Sequence, residues 1–139
     1  MTYDNQYDII LLYNIGESIC IKLTFFKIIT GQNEVEKYIK SLQKNNNKTN
    51  RIKLNKIIAY MRMLEQYGLT LGEPYIKHLS DNIWELRPLR DRILFAQYEN
   101  NKFIILTIFM KQTQKTPELE IKRAKRLFMN WSDANWVKN

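Results

Sequence analysis

A single cysteine, Cys20, stands in the 139-residue chain, so no intrachain disulfide can form. That usage points to a reducing, cytoplasmic setting. Cys20 itself lies in the apolar run ICIKLTFF, where a free thiol serves as a small hydrophobe. Histidine is equally scarce. His78 stands alone, so no Cys/His zinc set exists and no Ser–His–Asp triad is signalled. The 4 glycines form no phosphate-cradling loop. The longest apolar runs, such as FIILTIFM at 103–110, fall far short of the roughly 20 residues a membrane helix needs. The opening MTYDNQYDIILLY carries acids and no lysine or arginine before its apolar part, unlike a secretory signal. Acids are also in short supply, 14 against 22 lysines and arginines.

What is present is a hydrophobic fraction of 45%, enough for one domain with a packed core, and a net charge of +8. A small domain this basic meets a polyanion, nucleic acid or an anionic membrane, or else carries its charge for solubility. From Lys37 to Lys56 there are seven cations and no acid. They form either an RNA-facing surface, with Lys53 and Lys56 among its contacts, or a solvated helical face.

The periodicities predict an α+β fold. Residues 7–15 and 18–29 are rich in β-branched and aromatic side chains and read as a strand pair. Asn33 and Glu36 match a capping box, and Val35, Tyr38, Ile39 and Leu42 follow at helical spacing. Residues 44–50 form a polar break. A second helix over about 51–67 carries the stripe Ile52, Ile57, Met61 and Leu64 and stops at Gly68. Residues 68–82 read as loop, followed by strands at about 83–87, 91–98 and 102–111 with a turn at Asn100-Asn101. FIILTIFM is apolar on both parities, as in a central strand covered on both faces. Thr116-Pro117-Glu118 starts a last helix, with threonine as its cap and Ile121, Ala124, Leu127, Phe128 and Trp131 on one face. The tail from residue 132 reads as frayed.

The stretch WELRPLRDRILF concentrates charge beside core residues. A hairpin over Pro88 to Asp91 sets Trp84 against Phe95 and Leu86 against Ile93 on one face. Arg87 then faces Arg92 on the other face. Like charges across a ladder are unfavourable by up to about 1 kcal/mol. Either Glu85 or Asp91 neutralises the pair, or the guanidiniums await a phosphate. Lys111 ends the next strand and Lys115 precedes a helix N-terminus, itself an anion site. Arg87, Arg92, Lys111 and Lys115 therefore form a candidate phosphodiester site. With few acids nearby, a phosphodiesterase of this composition is expected to need no metal or cofactor. It would use cations to stabilise the transition state and the RNA 2′-OH as nucleophile.

The run GEPYIKHLSDNIWELRPLRDRILF, with FMKQTQKTPELEIKRAKR and RIKLNKI, resembles the HigB branch of the RelE-like toxins, phage-derived members included. The resemblance covers about residues 18–131. It implies a small twisted antiparallel sheet with an N-terminal helical hairpin and a C-terminal helix. It implies an mRNA endoribonuclease acting at the ribosome, neutralised by a HigA-like helix-turn-helix antitoxin. Arg87 and Arg92 keep the spacing of two RelE arginines, and Lys111 and Lys115 fall in the basic segment before the last helix. RelE's catalytic lysines would fall near Trp84 and Glu85, and residues 117–131 contain no tyrosine. The resemblance therefore leaves the proton-transfer groups to be found among this chain's own residues, with His78 and Glu120 as candidates. Lys77 and Arg90 are expected to contact RNA. The rival expectation is an inactive RNA- or partner-binding member. A DNA-binding regulator is disfavoured, because no helix-turn-helix signal is present. Residues 1–17 extend beyond the usual start of the family. Arg87→Ala and Lys111→Ala are expected to reduce cleavage at little cost in stability.

Overall fold

A computed structural model describes residues 6–14, 18–29, 34–99 and 102–136, the first two stretches as backbone. Its elements are β1 (Gln6–Asn14), β2 (Ser18–Ile29), α1 (Glu34–Lys44), α2 (Lys48–Tyr67), β3 (Ile76–Ser80), β4 (Ile83–Leu86), β5 (Asp91–Glu99), β6 (Lys102–Met110) and α3 (Glu118–Trp136). The expected α+β architecture is present: a helical pair, an antiparallel meander and a C-terminal helix.

The strands form one sheet in the order β1-β2-β6-β5-β4-β3. β3 to β6 are antiparallel neighbours, and β1 and β2 pair as the expected hairpin. β2 then joins β6 in parallel, over Phe26–Ile28 against Phe103–Ile105. The N-terminal hairpin thus widens the sheet and makes β6 an interior strand.

Each face of the sheet buries its own core. α1 and α2 lie on one face, where Val35, Ile39, Ile57, Met61 and Leu64 meet Leu86, Ile93, Phe95, Phe103 and Ile105. The other face sits under α3, where Ala124 packs with Ile83, Leu94, Ala96, Ile104 and Leu106 and half-buried Leu127, Phe128 and Trp131 complete the contact. β6 contributes alternate residues to both cores, as its two-parity pattern predicts. Phe95 and Phe103 meet edge-to-face at 5.6 Å between ring centres.

Several boundaries differ from the expectations. α2 begins at Lys48, because the Asn47 side chain accepts from the Asn50 N–H at 2.9 Å and caps the helix inside the supposed polar break. Its buried stripe is Leu54, Ile57, Ile58, Met61 and Leu64; Ile52 is 46% exposed. Gly68 ends α2 at φ +63°, donating its N–H to Leu64 O, in a region that disfavours a side chain. The supposed loop over 68–82 contains a short 3-10 turn and then β3, whose exposed residues disguise it as loop. α3 runs on through residues expected to fray, as far as Trp136. The Asn33–Glu36 capping box, the Asn100-Asn101 turn and the Cys20 side chain lie outside the described residues.

Candidate functional site

The β4–β5 register pairs Trp84 with Phe95, Glu85 with Leu94 and Leu86 with Ile93. Arg87 directly follows β4 and Arg92 lies on β5, and both line the same cleft as Glu85, on the α3 face. Their charges meet at Glu85, which is only 2% exposed. Its Oε1 lies 3.5 Å from Arg87 Nε and 4.0 Å from Arg92 Nε. Its Oε2 accepts a hydrogen bond from Thr116 Oγ1 at 2.5 Å. The carboxylate therefore offsets the guanidinium repulsion. Thr116 does not place its hydroxyl as the expected helix cap; it ties the start of α3 to the sheet instead. A hydrogen bond to a charged group contributes roughly 1.5–3 kcal/mol.

Arg92 is held by the turn as well. Its NH1 donates to Leu89 O at 2.8 Å and to its neighbour Asp91 O at 2.9 Å. Leu89 has φ +58°, the left-handed region, and its carbonyl receives the guanidinium. Burial lowers the Arg92 pKa from the ordinary arginine value. Glu85 opposes that shift and Arg87 adds to it. An arginine in a protein stays protonated under such a shift. Arg92 is thus a fixed cation, aimed by three oxygens.

These residues form the floor of a cleft of about 310 Å³ between the sheet, the β6–α3 connection and the first turn of α3. Lys77, Arg87, Arg92, Lys111, Lys115 and Glu120 all line it. Gln112, Thr113 and Gln114 form its outer wall. Thr113 Oγ1 donates to Lys115 O at 2.7 Å and folds this segment back on itself. The sequence gives no individual signal for Gln112, Thr113 and Gln114. Only the close spacing of Lys111 and Lys115 brackets them.

Glu120 is the acidic group with an unsatisfied atom. Its Oε1 is buried without a hydrogen-bond partner among the described residues, and Arg123 NH1 approaches only to 3.9 Å. Burial raises its pKa, Arg123 lowers it, and Glu34 raises it again; the net shift is upward.

Four predicted residues do not line the cleft. His78 pairs with Trp84 in the ladder, on the helical-hairpin side of the sheet. Its ring lies 4.9 Å from that of Trp84, and Nε2 is 2.8 Å from Asp81 O. This placement points it away from the chemistry expected of it. Arg90 sits on the turn, where NH2 donates to Lys111 O at 2.9 Å. Lys53 donates to Tyr38 Oη at 3.3 Å, and Tyr38 donates in turn to Asp91 Oδ1 at 2.9 Å. Lys56 is exposed on α2, across the sheet from the cleft.

The Tyr38–Asp91 bond was not legible in the sequence, which marks Tyr38 only as a core position. Asp91 is buried. Burial raises its pKa, against the lowering effects of the Tyr38 hydrogen bond and of Lys53 and Arg92. The Tyr38 hydroxyl is raised by its own burial and by the Asp91 charge.

Residues 37–129 match the family model described as phage-derived protein Gp49-like (DUF891). The chain belongs to the Gp49-like family. That family lies within the RelE/ParE-like toxin superfamily, so this Gp49-like chain is toxin-like. The match runs from α1 into α3 and includes the whole cleft. No curated protein matches the chain. No described helix of the Gp49-like protein is long and apolar enough to cross a membrane.

The cleft brings five cations together with the Glu120 carboxyl. Five cations around a small concavity suit a phosphodiester and its pentacoordinate transition state. The Glu120 carboxyl, its pKa raised by burial, lies at the same place.

Proposed function

We propose that this Gp49-like protein is the toxin of a toxin–antitoxin pair and cleaves mRNA at the ribosome without a metal ion. The reading rests on one observation: Lys77, Arg87, Arg92, Lys111 and Lys115 converge on the cleft that also holds Glu120. Arg87 and Arg92 bind the scissile phosphate, with Arg92 held rigid for the charge that develops in the transition state. Lys111 and Lys115, which have no ion-pair partner among the described residues, hold the flanking phosphates. Glu120 takes the 2′-OH proton and the 2′ oxygen attacks the phosphorus. The 5′ oxygen leaves and takes a proton from solvent, so the products are a 2′,3′-cyclic phosphate and a 5′-OH end. A HigA-like helix-turn-helix protein is the expected antitoxin.

A second reading draws support from the positions where RelE carries catalytic lysines. Trp84 packs beside the helical-hairpin core and Glu85 is a buried ion-pair hub. Both residues have structural tasks, as in a chain that binds RNA or a partner without cutting. Expression without an antitoxin distinguishes the two. Wild type should arrest growth and leave 5′-OH ends in mRNA, whereas Lys111→Ala should do so weakly. Normal growth with intact mRNA in cells that accumulate folded wild-type protein would overturn the nuclease reading.

A further inference from the structure

The ion pair beside the cleft contains a residue from the other side of the sheet. Glu34, the first residue of α1, binds Arg123 of α3 through both carboxylate oxygens, Oε1 to NH1 at 3.0 Å and Oε2 to NH2. Its position follows from the sheet. β2 pairs with β6 only as far as Ile105, so Ile108 lies on β6 beyond that pairing. The Glu34 carboxylate occupies this place, with Oε1 3.5 Å from the Ile108 N–H. From there it can reach α3.

Arg123 stands one helical turn after Glu120, the spacing at which the two side chains would normally pair. The planar guanidinium is already engaged two-pronged by Glu34, the strongest ion-pair geometry open to arginine. Glu120 is left with a 3.9 Å approach and a buried oxygen that has no hydrogen-bond partner. We propose that Glu34 and Arg123 are positioning residues for Glu120: Glu34 captures Arg123 and thereby keeps the Glu120 carboxyl uncommitted at the cleft wall, free to exchange a proton with the substrate.

This inference rests on the nuclease reading and assigns the control of its proton-transfer group. The charged groups around Glu120 are Arg123 on α3, Glu34 on α1, Lys77 on β3, Glu85 on β4, Arg87 after it, Arg92 on β5, and Lys111 and Lys115 in the connection. Among them, Glu34 and Arg123 are outside the cleft lining and can be changed without removing a cation from the phosphate site.

The two substitutions act in opposite directions. Glu34→Gln removes a negative charge and releases Arg123 to pair with Glu120, so the carboxyl should lose its proton at lower pH than in wild type. Arg123→Gln removes the cation that faces Glu120 from its own helix, so the proton should be lost at higher pH. The limb of the cleavage-rate pH profile that reports Glu120 should move with each. A direct reading is the carbon-13 NMR titration of the Glu120 carboxyl in the full-length chain, with Glu120→Gln identifying the signal. Glu120→Gln itself should slow cleavage about 10²–10⁴-fold, the usual contribution of one proton-transfer group.

Two failures are separable. If wild type cuts RNA but Glu34→Gln and Arg123→Gln, both shown folded by circular dichroism, leave the pH limb and the titration unmoved, the positioning role is overturned. If both variants move the titration as stated but wild type cuts no RNA, the nuclease reading fails while the electrostatic coupling stands. Equal titration shifts in one direction for both variants would also overturn the capture argument.

Discussion

Glu85 is the residue on which the arginine pair depends. Its carboxylate is buried with two guanidiniums and a hydroxyl on it. Breaking such an arrangement from one side typically costs roughly 3–5 kcal/mol, because charge is left buried without a partner. Glu85→Gln should therefore lower the thermal midpoint sharply as well as weaken RNA binding. The same contact separates two substitutions that the sequence treats alike. Lys111→Ala removes a cation with no ion-pair partner among the described residues and should change stability by no more than about 0.5 kcal/mol. Arg87→Ala strips one partner from Glu85 and should cost about 1–3 kcal/mol. Urea unfolding of the two variants measures the difference, and equal values would remove Glu85 from the explanation. Asp91 gives a pH signature. Its carboxyl is raised in the fold, so protonation favours the folded state, and stability lost as pH rises through the folded pKa returns as pH falls. Relative to Asp91→Asn, wild type should gain stability from neutral pH down into the ordinary carboxylate range, as measured by urea midpoints at several pH values.

At the scale of elements, the β4–β5 turn is the exposed weak point. Leu89 adopts φ +58° and is exposed, so its side chain contributes little packing to offset a conformation costing roughly 1–2 kcal/mol for an L-residue. Leu89→Gly should leave the urea midpoint unchanged or slightly raised, since glycine relieves the strain and gives back about 0.5–1 kcal/mol in unfolded-state entropy. A clear loss of stability would show that the turn relies on the leucine side chain. The hairpin around this turn was legible from the sequence because alternation assigns Trp84, Leu86, Ile93 and Phe95 to one face and the arginines to the other. β3 was not. Ile76 is its only buried residue, and glycine and proline precede it, so a ladder held by backbone bonds leaves little trace in side-chain type. Ile52 shows the converse failure: a hydrophobic residue at a plausible helical spacing that the packing leaves in solvent. Of the site, the clustered cations were legible because charge is visible residue by residue. The contacts of Glu34 with Arg123 and of Tyr38 with Asp91 were not, because each spans more than 50 residues.

At the scale of the molecule, cations occupy two faces. The cleft lies on the α3 side of the sheet, while exposed Lys37, Lys44, Lys48, Arg51 and Lys56 lie on the helical pair that covers the other side. On the nuclease reading proposed above, both sets would attract RNA, but only the cleft set would surround the scissile phosphate. For single-stranded RNA, each lysine that neutralises a phosphate adds about 0.7 to the slope of log affinity against log salt. Lys48→Ala combined with Lys56→Ala should therefore reduce that slope by up to about 1.4 if both lysines touch the backbone. Fluorescence anisotropy across a salt series measures it. An unchanged slope would assign the helical face to solvation.

The parallel pairing of β2 with β6 also bears on the order in which the chain folds during its own synthesis. The first strand pair is made early, yet β6, the other strand neighbour of β2 among the described residues, lies more than 70 residues downstream. Chain elongation at roughly 5–20 residues per second leaves that hairpin waiting for seconds. The cleft is later still, since its lining runs from Lys77 to Glu120. On the nuclease reading proposed above, a nascent chain therefore holds no complete cleft until the first turn of α3 has been made.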